Sequence, residues 1–131
     1  MTFFLSLLVP GTKQRSQRIF AALLIYAAIV IIGSIPGARA EVAHVATGPV
    51  LHSIAYAVLT FLIFTGSSGS AWRRALKAVL AVALMGAGDE FVQSFFPYRG
   101  AAVSDWLVDC AASLTTSLLL WALLPKPAPA R

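Results

Sequence analysis

A single cysteine, five carboxylates and two histidines are all that this chain offers for redox, acid–base or metal chemistry. The lone Cys110 excludes an internal disulfide, and there is no CxxC or Cys/His spacing of the kind that holds structural zinc. Cys110 sits in an apolar run and reads as a packing residue. HExxH is absent, as is any Ser/His or Cys/His pair at a recognisable spacing. Charge is scarce too: 11% of residues are charged, against about 25% in soluble domains. With 59% hydrophobic residues, where about 45–50% is usual, that scarcity excludes an ordinary soluble domain. The net charge of +5 does not indicate a nucleic-acid partner, because the basic residues lie in short clusters beside apolar segments, as orientation signals do. What is left is an all-α integral membrane protein of one domain.

The apolar runs and their punctuation divide the chain. Residues 1–18 contain MTFFLSLLVP, which is too short to span, and then Lys13, Arg15 and Arg18; this segment is expected at the membrane interface or disordered. Four transmembrane helices are expected over about 19–35, 49–64, 75–96 and 103–124, arranged as two helical hairpins. Pro36-Gly37 ends the first, Pro49 suits the first turn of the second, and Pro97 follows the third. Ser104 is the expected N-cap of the fourth, with Asp105 in a first turn that favours an anion. Residues 125–131 form a proline-rich tail. The basic flank, the first apolar run and Ala38-Arg39-Ala40 together imitate a cleavable signal peptide, but the run exceeds the usual h-region of about 7–15 residues.

Lys and Arg beside the spans set the orientation. The N-terminal flank, the 66–77 turn and the tail hold all of them but Arg39 and Arg99, which places both termini in the cytoplasm. Trp72 and Trp121 then fall near the inner interface, and Tyr98 and Trp106 near the outer one.

Against this apolar background, residues 89–109 hold four of the five carboxylates, Asp89, Glu90, Asp105 and Asp109, together with Gln93 and Arg99. Counting inward at 1.5 Å per residue from the outer span ends puts His52 and Gln93 roughly 5–6 Å deep, Asp109 roughly 8 Å, and Tyr56 and Glu90 roughly 10 Å. His52, Tyr56 and Thr60 recur at i, i+4, i+8; Glu90 and Gln93 are i, i+3; Asp105 and Asp109 are i, i+4. Each set is one stripe of a helix, and polar stripes turn inward rather than toward lipid. Gly86 and Gly88 would let a neighbouring backbone approach the third span. The proposed binding residues are therefore His52, Tyr56, Asp89, Glu90, Gln93, Arg99, Asp105 and Asp109. Four acids so close together cannot all stay ionised without protons or a bound cation, so a divalent cation is one way to relieve the excess, though no metal or other cofactor is assigned.

The motif Asp89-Glu90-x-x-Gln93-x-x-x-Pro97-x-Arg99, followed by Asp105 and Asp109 and preceded by Ser34-Ile-Pro36 and His52-x-x-x-Tyr56, resembles the signature of the VanZ-like family over residues 19–124. The resemblance implies a small bacterial protein of about four spans, in a family whose namesake is associated with low-level resistance to the glycopeptide teicoplanin. Where the family often has Asp-Lys before the histidine, this chain has Gly48-Pro49, and where it often has Gly after the last acid, this chain has Ala112.

Two functional expectations follow. One is an outward-facing pocket that binds a cell-envelope lipid, a lipid-linked precursor, a glycopeptide-type compound or a protein partner. The other is a membrane-embedded hydrolase or transferase acting on a lipid-linked substrate, in which carboxylates and His52 hold a cation that activates water. A proton- or ion-coupled transporter fits less well, since its acids would have to be reachable from both sides. Oligomeric state is left open.

Overall fold

The computed structural model describes residues 7–124; the proline-rich tail and the first six residues lie outside the described segment. The described residues are all helix, turn and loop. Four long helices, α1 (Thr12–Gly33), α3 (Gly48–Gly66), α4 (Ala71–Gln93) and α5 (Val103–Leu123), are joined by short connections, one of which contains the six-residue α2 (Ala38–Ala43). Each long helix is within a few residues of an expected span, except that α1 begins at Thr12 and so takes up the basic flank.

Local chemistry sets most of the boundaries. Thr47 is the extended residue before α3, and Pro49 falls in its first turn, where its missing N–H costs nothing. The turn from α3 to α4 depends on Gly69, at φ +112°, a backbone conformation that side chains rarely adopt. Ser70 then caps α4 by accepting from the Arg73 amide. Ser104 does not cap α5: the cap position is Ala102, whose own amide donates to Glu90 Oε2 of α4 at 2.6 Å. Asp105 does lie in the first turn of α5, as expected.

The helices alternate in direction. Near the start of α3, His52 and Tyr56 meet Asp109 of α5 and Asp89 late in α4. Near its end, Phe64 meets Arg74, early in α4. So α4 runs antiparallel to α3 along most of its length, and α5 runs back beside both. α3 is the central helix, packing against α1, α4 and α5. Its buried stripe of Tyr56, Leu59, Thr60, Ile63 and Phe64 follows the i, i+3, i+4, i+7, i+8 spacing of one helical face. With Ala22, Ala78, Val82 and Leu120 it forms the core.

The outer surface is the reverse of a soluble protein's. Phe20, Leu23, Leu24, Leu80, Leu84, Leu118 and Leu119 all point outward and more than half exposed. An apolar surface on that scale is a lipid-facing one. α1, α3 and α5 are long and apolar enough to cross a membrane. α4 is long enough, but Arg73, Arg74 and Lys77 near one end and Asp89 and Glu90 near the other leave residues 78–88 as its longest uncharged run.

At the end opposite His52, three arginines hold the chain that enters α1. Arg74, 5% exposed, donates through Nε to the Phe64 carbonyl at 2.9 Å and through Nη2 to that of Leu8 at 2.7 Å, while its guanidinium lies over the Phe64 ring. Arg15 donates to Pro10 O, and Arg18 to Leu7 O. Leu8 is thereby docked into the core.

Candidate functional site

The eight expected site residues all sit toward one end of the bundle, but they face two directions with His52 between them. His52 Nδ1 lies 2.9 Å from Asp109 Oδ1, joining α3 to α5. One helical turn on, the Tyr56 ring stacks parallel to the imidazole, 5.9 Å between centroids, and its hydroxyl donates to Asp89 Oδ2 of α4 at 3.4 Å. Thr60, the third member of that stripe, turns its hydroxyl back to the Tyr56 carbonyl.

On the α5 side are Glu90, Asp105 and Asp109. Glu90 spends Oε2 on the Ala102 amide, while its buried Oε1 has no partner. His52, Glu90 and Asp105 each offer one ligand atom, all within 4.8 Å of one another. Asp109 is fully buried, and its Oδ2 points at α4 where Gly86 leaves room. A Cβ at Gly86 would lie 2.9 Å from that oxygen and 3.2 Å from Trp106. The glycines of α4 therefore admit side chains rather than a backbone: Asp109 and Trp106 at Gly86, and the Tyr26 hydroxyl at Gly88. Trp106, expected as an interface aromatic, donates its indole N–H to the Ala83 carbonyl at 2.9 Å.

On the α1 side, Asp89, Gln93 and Arg99 face a cavity of about 420 Å³ between α1, α3 and α4. Asp89 and Gln93 are almost wholly buried, at 1% and 2% exposure. Asp89 Oδ1 and Arg99 Nε are buried without a hydrogen-bond partner. Above the Gly33 α-carbon, Arg99 Nη2 and Asp89 Oδ1 approach one point, where a Cβ would stand, at 3.4 and 4.0 Å. Ile25, Ile29 and Ile32 of α1 and Leu51 and Ala55 of α3 make apolar walls, and His52 and Tyr56 also line the cavity. Tyr98, beside Arg99, donates to the Ser34 carbonyl at 2.7 Å and ties the α4–α5 loop to the end of α1.

Sequence reasoning placed the polar residues but missed the contribution of α1. Its cavity wall is built from Ile, Ala and Gly, residue types that look the same on a lipid-facing surface as in a pocket. The nearest signal was Ser34-Ile-Pro36, one residue beyond Gly33.

Long apolar helices, an apolar exterior and a carboxylate–histidine cluster held inside one end define a polytopic helical membrane protein with a polar interior site. A family model described as VanZ/LLP1 matches residues 1–124, and the chain belongs to that family. Neither a curated protein nor a solved structure matches the chain.

Proposed function

We propose that the protein binds an amphipathic molecule of the cell envelope, a lipid or lipid-linked precursor, with its polar end on Asp89, Gln93 and Arg99 and its apolar part along α1 and α3. The observation that carries this reading is the cavity itself, apolar along its sides and closed at one end by a buried carboxylate whose Oδ1 has no partner. A concave, mostly apolar site with a few converging polar groups is the usual form of a small-molecule site.

The reading includes a topology. α4 lies antiparallel to α3 over most of its length, so if α3 crosses the bilayer α4 crosses it too. Its charges do not argue against this, because Arg74 and Asp89 are buried against protein rather than lipid. The arginine-rich end faces the cytoplasm with both chain termini, and the His52 end faces outward in a bacterial plasma membrane. A link to glycopeptide resistance is part of the same proposal, and is tested by whether production of the protein changes susceptibility to teicoplanin.

The experiment for the binding reading is lipid analysis of the purified protein beside Ala55→Trp, which fills the cavity. Wild type is expected to retain a lipid species that the variant loses. Identical lipid content in the two proteins overturns the reading.

A membrane-embedded hydrolase or transferase is the second reading, favoured by the grouping of His52, Glu90 and Asp105. With Nδ1 of His52 on Asp109, the other ring nitrogen is the one available to a divalent ion, the arrangement in which a carboxylate orients a ligating histidine. Such an ion would neutralise the acids and activate water. Elemental analysis of protein purified without chelator, and titration with Zn²⁺ and Mn²⁺, test it. A protein without metal that binds neither ion sinks the metal-dependent version.

A further inference from the structure

We propose that the molecule held in the cavity is a phospholipid whose headgroup bears a primary ammonium, with the ammonium on Asp89 and the phosphate on Arg99. This deepens, and rests on, the reading of the cavity as a site for an amphipathic molecule.

The argument starts from Asp89. One of its oxygens accepts from Tyr56, while the other is buried, has no hydrogen-bond partner and lies 4.0 Å from where a Cβ on Gly33, in the cavity lining, would stand. A buried carboxylate left in that state costs several kcal/mol unless something donates to it. The nearest fixed cation does not supply that donor: Arg99 comes to the same point above Gly33 but leaves its Nε unpartnered. The polar end of the cavity thus presents an acceptor and a donor side by side, both with capacity to spare. A ligand with one charge answers only half of this arrangement. An anionic headgroup satisfies Arg99 but sets a negative charge beside Asp89. A zwitterion with ammonium and phosphate a few bonds apart answers both, and the Gln93 amide adds a neutral partner. The ammonium must carry N–H bonds, because a carboxylate oxygen buried from water needs a hydrogen bond and not only a nearby positive charge. That requirement separates a primary amine from a quaternary one. The apolar walls of α1 and α3 continue from the polar end, where acyl chains attached to the phosphate would lie.

The test is native mass spectrometry of the full-length protein released from detergent, titrated with dioleoyl lipids bearing phosphoethanolamine, its mono- and dimethyl forms, phosphocholine or phosphoglycerol. The expected result is binding that falls stepwise with methylation, to roughly tenfold weaker for phosphocholine, the scale of one charge-assisted hydrogen bond. Phosphoglycerol is expected to be weak as well. Asp89→Asn, which keeps an oxygen acceptor for Tyr56, is expected to abolish the preference, and Arg99→Gln to weaken every phospholipid. Lys77→Ala, at the opposite end of α4, is expected to change nothing. The methylation series uses wild type alone, so it decides the matter even if a variant fails to fold.

Equal binding of phosphoethanolamine and phosphocholine lipids overturns the proposal, as does an unchanged preference in Asp89→Asn. If in that case Ala55→Trp still abolishes binding of all the lipids, the cavity reading survives and only the headgroup class is wrong. If Ala55→Trp leaves lipid binding untouched, both fall. A loss with Lys77→Ala equal to that with Arg99→Gln would mark the attraction as general electrostatics and overturn the site.

Discussion

His52 and Asp109 are 57 positions apart in the chain and meet at 2.9 Å, the imidazole nitrogen against a carboxylate that is wholly buried. This contact fastens α3 to α5, and the second oxygen of Asp109 is buried without a hydrogen-bond partner. Removing either member leaves the other poorly satisfied. Asp109→Ala is expected to destabilise the protein by about 3 kcal/mol, the scale of breaking a buried pair. A double-mutant cycle of Asp109→Asn with His52→Phe, followed by unfolding in mixed micelles, should give a coupling energy of about 1 kcal/mol or more. Additive effects would show that the two side chains are neighbours without an energetic bond.

Gly86 is where the same carboxylate meets α4. Because a Cβ there would stand 2.9 Å from Asp109 Oδ2, Gly86→Ala must push α5 outward or turn the aspartate. The expected cost is about 1–3 kcal/mol, as for overpacking. Trp106 lies 3.2 Å from the same point, so its fluorescence should shift in parallel with the loss of stability. Gly100→Ala, with nothing within 4 Å of its Cβ, is the control that should leave both unchanged.

Glu90 does two separable things. Its Oε2 accepts the amide at the cap of α5, a role that any acceptor of the right length can fill, whereas the carboxylate also offers an oxygen within 4.8 Å of ligand atoms of His52 and Asp105. Glu90→Gln should therefore keep the cap and hold stability near wild type, while Glu90→Ala loses about 1 kcal/mol, the scale of a helix cap. Thermal unfolding of the two variants in detergent separates them. Equal losses in both would mean that the charge, not the hydrogen bond, holds that end together.

Arg74 is a structural cation. Its guanidinium reaches two carbonyls from separate segments while stacked on Phe64, and a lysine has neither the fork nor the plane to do this. Arg74→Lys is expected to lower stability by about 2 kcal/mol and to speed hydrogen exchange at the Leu8 and Val9 amides. Unchanged exchange there would mean that the Leu7–Pro10 segment is held by Arg15 and Arg18 alone.

Much of this could be read in advance because polar residues in an apolar chain carry most of the information. The stripes of His52 with Tyr56 and of Asp105 with Asp109 had one consistent inward solution, and the structure brings them together at one end. Asp89 and Glu90 are adjacent on a helix and so about 100° apart, which separates their faces already in the sequence, and the structure turns Asp89 toward α1 and Glu90 toward α5. The cap of α5 resisted sequence reading for a physical reason. Ser104 has the chemistry of a cap, yet the position fell to Ala102, because a carboxylate from another helix satisfies the amide there. Local propensity cannot anticipate a tertiary partner of that kind.

The central place of α3 has a consequence for the order of events in biogenesis. Its apolar length suffices to enter the bilayer as it is made, but the partner of Tyr56 is synthesised 33 residues later and that of His52 57 residues later. Between those moments α3 carries a tyrosine and a histidine whose acceptors do not yet exist. A nascent chain arrested after α4 would have the first of them satisfied and the second still open, so the arrival of α5 is the step that completes the interior of this protein.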